Sequence, residues 1–184
     1  MKRFLLAAAL LGSASLVGTT PVHAYDVSID DALCPIEAVG DAEIDSWAAS
    51  LVDAKGRMTD SQADILRASV KTCSEKLGWS QPDTISALEF NLAIIAGAAI
   101  GDRLSSEGID AIGYEVVLEN RSAEDLLQIL EDPENSAALS DLTEKLIADF
   151  GEELTEDITA SVATYVALMA QSQFSAMKLM GLAD

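Results

Sequence analysis

The sequence predicts an all-α fold: a single-domain, irregular bundle of about six or seven helices, with an N-terminal arm and one disulfide. Three observations predict it. Apolar residues recur three and four positions apart between short polar turns. No stretch alternates long enough to promise a sheet. Two cysteines, Cys34 and Cys73, follow an N-terminal export signal, and an even count in an oxidising compartment reads as a bridge.

The signal opens the chain. Lys2 and Arg3 form a positive n-region, Phe4 to Leu11 an apolar run, and Pro21-Val22-His23-Ala24 suits a cut after Ala24. The expected division is residues 1–24 as signal peptide and residues 25–184 as one acidic helical domain, periplasmic or secreted. Tyr25 to Gly40 shows no helical period and is expected to lie across the helices as an arm pinned by Cys34. A first helix spans Asp41 to Lys55, with Ile44, Trp47, Ala48, Leu51 and Val52 on one face and Gly56 at its end.

Thr59 caps a second helix, with Gln62 as its capping-box partner. That helix turns Ile65, Leu66, Val70, Cys73 and Leu77 to one side and stops at Gly78. The inward Cys73 agrees with a buried bridge. Ser80 to Asp83 opens a third helix, with Pro82 tolerated in its first turn. No charge occurs from Phe90 to Gly101. A helix apolar around most of its girth sits centrally in a bundle, and this run is too short to cross a bilayer.

A fourth helix is expected from Ser106 to Leu118, with Ile109, Ile112, Val116 and Val117 inward. Ser122 with Asp125 caps a fifth, carrying Leu126, Leu127 and Leu130 and ended by Pro133. Asn135 or Ser136 starts a sixth, burying Leu139, Leu142, Leu146, Ile147 and Phe150. The last runs from Glu153 to Met180 with Ile158, Val162, Tyr165, Val166, Met169, Phe174 and Met177 as its apolar set. Its charge-free run, Ile158 to Met177, is long enough to cross a bilayer. Gln171, Gln173 and several hydroxyls argue instead for a helix packed in the core or facing a partner, with no stable membrane insertion after signal cleavage. Tyr165, Met169, Phe174 and Met177 form the candidate interaction surface, the methionines being adaptable packing residues. No point near Arg103 divides the chain into halves with self-sufficient cores.

The whole chain carries 31 acids against 11 bases, a formal charge of −20. Losing Lys2 and Arg3 with the leader makes the product more negative still. Such a surface repels phosphate backbones and anionic membranes, so nucleic-acid binding is excluded, and a protein or cationic peptide becomes the expected partner. Acidity also serves simple solubility. The charge is uneven, however: residues 106–157 hold 16 acids and two bases, Arg121 and Lys145, whereas residues 158–184 are neutral in sum.

Several chemistries are closed. The one histidine, His23, leaves with the leader, which removes Ser-His-Asp triads, Cys-His pairs, the Glu-x-x-His di-iron pattern and histidine-bound zinc. The cysteines are too far apart for a Cys-x-x-Cys redox motif. No phosphate-cradling loop occurs around Gly108 or Gly113, and neither Gly56 nor Gly108 falls in register for a helix-loop-helix calcium loop. The run Glu131-Asp132-Pro133-Glu134-Asn135 offers only a weak surface cation site. No metal or cofactor is expected.

Two-carboxylate hydrolysis survives as an enzyme reading, with Glu89 as its candidate acid because Leu88, Phe90 and Leu92 flank it. Glu115, between Tyr114 and Val116, is similar, with Asp102, Asp110 or Glu119 as partners. A helix acid facing water is the plainer account of both. The expected function is therefore an exported, non-enzymatic helical binding protein of the cell envelope. A carrier of an apolar small molecule in an inter-helix cavity is the second reading, and a carboxylate-dependent glycan hydrolase the third.

Overall fold

The computed structural model describes residues 27–133 and 136–183, so the expected leader, Tyr25 and Asn135 lie outside the described residues. The described chain is all-helical, with eight α-helices and no strand. They are α1 (Ile29–Ala32), α2 (Cys34–Val39), α3 (Asp41–Asp53), α4 (Asp60–Leu77), α5 (Gln81–Ser106), α6 (Ala123–Glu131), α7 (Ala137–Phe150) and α8 (Glu156–Leu179). A 3₁₀ segment, Ile112–Leu118, lies between α5 and α6, and a 3₁₀ turn, Gly151–Glu153, precedes α8.

Local chemistry sets the starts. Thr59 and Gln62 form the reciprocal capping box expected for α4, and Ser80 with Asp83 and Ser122 with Asp125 do the same for α5 and α6. Ser136 caps α7 and Thr155 caps α8, two residues after the sequence-based start. The Cys34–Cys73 disulfide ties α2 to α4, with a Cα–Cα distance of 6.1 Å.

Two expectations are corrected. The N-terminal arm is helical: Ser28 caps α1 by accepting the Asp31 amide, and Pro35 sits in the first turn of α2. Helices of four and six residues are too short to display a period, which is why Tyr25 to Gly40 reads as irregular. The helix expected from Ser106 to Leu118 is not α-helical either. α5 continues through Ser106, and the following segment winds at about three residues per turn, so Tyr114 and Val117 share the inner side. Ile109 is buried as expected, but Ile112 and Val116 face solvent at 57% and 49% exposure, as does Ile147 on α7 at 56%.

The long helices α5 and α8 run antiparallel through the centre. Glu89 meets Ser175, Gly97 meets Met169, and Arg103 meets Asp157 in order along the pair. The two charge-free runs therefore cover each other. At Gly97 an added Cβ would lie 2.2 Å from Met169 Cε, so the missing side chain permits the close approach. Among the described residues α5 alone is apolar and long enough to cross a membrane by length and composition, and most of that stretch is buried in the bundle.

α5 also joins three apolar clusters. Ala87 and Phe90 pack with Val27, Ala32 and Leu179. Ile95 packs with Ile44, Trp47, Leu51, Leu66 and Val70. Ile100 and Leu104 pack with Leu118, Leu126, Leu142, Leu146, Val162 and Tyr165. Asn91, fully buried in the middle of α5, donates to the carbonyls of Ala87 (2.6 Å) and Ala32 (2.8 Å) and so fixes α1 against the core.

Candidate functional site

The ends of three helices enclose a cleft of about 240 Å³. α3 stops where Lys55 and Gly56 both take left-handed backbone, at φ 52° and 82°. The φ at the second position favours glycine, and a Cβ there would also press on Leu168 Cδ1 at 3.1 Å. The turn lies close against Ile100 of α5 and Leu168 of α8, and Lys55 lines the cleft. Val52, Ile100 and Leu104 supply apolar lining, and Ala160, Ser161 and Thr164 close it from the first turns of α8.

Four ionic groups surround this lining: Asp53, Lys55, Arg103 and Asp157. Arg103 Nε donates to Glu107 at 2.8 Å, and its Nη2 lies 3.7 Å from Asp157. The hydrogen bond and charge of Glu107, helped by Asp157 and Asp53, push the guanidinium pKa above its ordinary value. Glu107 and Asp157 thus hold the guanidinium beside the cleft.

A second region is the acidic stretch, residues 106–157. Both of its bases are already engaged, Arg121 with Asp141 (2.6 Å) and Lys145 with Asp149 (3.2 Å). Glu119, Glu124, Glu131, Glu144, Glu153 and Glu156 remain exposed, and so do Ile112, Val116 and Ile147.

Two tyrosines lock the 3₁₀ segment onto the bundle from below. The Tyr165 hydroxyl, on the wholly buried centre of α8, donates to the Glu115 carboxylate. Burial pushes the Glu115 carboxyl above its usual range, against the opposing effect of that hydrogen bond. Burial and the same carboxylate push the Tyr165 phenol far up. Tyr114 donates to Asp149 at 2.9 Å, with the Lys145 ammonium 5.2 Å from its ring centre. Burial first, then Asp149, raises the Tyr114 phenol to about 12, while Asp149 is held below the usual carboxylate range by Tyr114 and Lys145.

The candidate residues fall elsewhere. Glu89 is half-buried on the α5–α8 seam, where Ser175 donates to it at 3.4 Å and Gln171 donates to Ser175 at 3.0 Å. It lines neither the cleft nor the open hollow beside α7, which Leu139, Thr143 and Glu144 border. The candidate interaction surface is corrected: Tyr165 and Phe174 are buried, and Met169 and Met177 are half-buried against the same core. An apolar stripe on a helix surrounded on all sides reads in sequence like a stripe awaiting a partner. Cys34 and Cys73 are joined, as expected. Among the described residues no group of three or more Asp, Glu or Cys side chains could hold a metal ion.

No family model matches the chain, and neither a curated protein nor a solved structure does. Any functional reading therefore rests on these surfaces.

Sequence reasoning passed over Asp53, Lys55 and Asp157. The available signal was the Lys55-Gly56 pair directly after an amphipathic helix, a spot where a turn must bring a long cationic side chain back toward the bundle.

Proposed function

We propose that the protein is an exported, non-enzymatic binding module that takes a basic, partly apolar segment of a partner protein on its acidic stretch, residues 106–157. One observation carries this reading. Over residues 106–157 the carboxylates outnumber the bases, both bases are spent in internal ion pairs, and Ile112, Val116 and Ile147 stand exposed in the same stretch. Uncompensated carboxylates steer a cationic chain in, and exposed apolar side chains retain it once it has docked. The hollows at hand support an apolar carrier less well, since charged or hydroxyl side chains line both.

The test is a titration of the chain lacking residues 1–24 with a lysine-leucine amphipathic peptide, followed by isothermal calorimetry at low and high salt. Binding should weaken about tenfold or more between roughly 50 and 200 mM salt, within reach of screened surface charges. It should also weaken in an Ile112→Ser, Ile147→Ser double variant. Salt-insensitive binding, or equal binding of a glutamate-leucine peptide, refutes the proposal.

A further inference from the structure

The cleft between α3, α5 and α8 takes Asp157 from the acidic stretch and the rest of its lining from outside it. We propose that it binds a small zwitterion of the amino-acid class: carboxylate to Lys55 and Arg103, ammonium to Asp53 and Asp157, and a short aliphatic chain over Ile100 and Leu104.

The size comes first. At about 240 Å³ the cleft lies below the roughly 300 Å³ at which pockets for drug-sized ligands begin. It suits a molecule of few heavy atoms, and Val52, Ile100 and Leu104 form the apolar part of its lining.

The charges decide the class. Two anions and two cations border the cleft, and one pair of them is in loose ionic contact. The closest approach among them is Arg103 to Asp157 at 3.7 Å, longer than a hydrogen bond. Lys55 and Asp53 enter no ion pair among the described residues. A simple anion entering the cleft meets Asp53 and Asp157, and a simple cation meets Lys55 and Arg103. A molecule bearing both charges satisfies all four groups.

The backbone adds a third reason. Lys55 holds φ at 52°, a conformation that costs a side-chain-bearing residue on the order of 1 kcal/mol and that glycine adopts freely. A long cationic side chain stands there in spite of that cost, in the lining of the cleft. Ser161 lines the cleft as well and adds a hydroxyl that donates or accepts.

The experiment is an NMR titration of the ¹⁵N-labelled chain lacking residues 1–24 with L-leucine at roughly millimolar concentrations. Two controls each lack one charge: 3-methylbutylamine has no carboxylate, and 4-methylpentanoate has no ammonium. Leucine should give saturable shifts at the amides of Lys55, Gly56 and Ser161, and both controls should bind at least about tenfold more weakly. Lys55→Gly removes the ammonium while easing the backbone, so the fold persists and leucine affinity should fall about tenfold. The proposal is overturned by no saturable shift with leucine, by either control binding within tenfold of it, or by leucine binding that survives Lys55→Gly.

Discussion

Replacing Tyr165 with Phe tests how the 3₁₀ segment is held. The side chain is fully buried and donates to Glu115, 50 residues away. The substitution keeps the ring and its packing, so the cavity contribution is small. What it removes is a hydrogen bond to a charged acceptor, worth about 1.5–3 kcal/mol. Glu115 is only half-buried and can recruit water in place of the phenol, which favours the lower half of that range, about 2 kcal/mol. For a domain of this length, that corresponds to a fall in Tm of about 4–8 °C.

The cost should depend on pH, with a definite sign. Burial raises the folded-state pKa of Glu115 above its unfolded value, so the ionised side chain opposes folding at neutral pH, and that penalty vanishes as pH falls below the unfolded value. The Tyr165 bond favours the ionised form and partly offsets the penalty. Removing it should therefore hurt most above the Glu115 titration and shrink to about 1 kcal/mol, the worth of a neutral hydrogen bond, once the carboxyl is protonated. Urea denaturation of both proteins at pH 7 and pH 4 measures this. Glu115→Gln, which keeps an acceptor without the charge, should be more stable than wild type at pH 7 and lose that advantage toward pH 4. A Tyr165→Phe cost below about 0.5 kcal/mol at pH 7, or one that grows toward acid, refutes the latch.

Removing the disulfide with a Cys34→Ser, Cys73→Ser double variant should cost about 3–4 kcal/mol, because it releases a loop spanning 39 positions, and a shift in the urea midpoint reads it out. Gly97→Val should lose about 1–3 kcal/mol by forcing Met169 and Leu168 of α8 away from α5, measured by thermal unfolding.

Helix starts were legible because caps are local. Thr59 with Gln62, Ser80 with Asp83, and Ser122 with Asp125 each act within four residues, and each stands where the sequence placed it. The central place of α5 was legible from its charge-free middle. The winding of Ile112–Leu118 was not, because α and 3₁₀ turns differ by a fraction of a residue, and long-range contacts such as Tyr165 with Glu115 choose between them. The cleft was hidden for a related reason. Its walls are helix ends that meet only after α3, α5 and α8 pack, and no periodicity marks such a junction. Tyr165 misled because the same apolar stripe serves an exposed docking face and a fully enclosed axis.

The mutual cover of α5 and α8 imposes an order of events on the growing chain. The side of α5 that faces α8 emerges first and must wait for the last long helix before it is shielded. Until then a nascent or nicked polypeptide presents a sticky uncharged cylinder, the state most prone to clump with its neighbours. Closing the α5–α8 seam is thus a late step, and a delay in α8 should raise the tendency to aggregate.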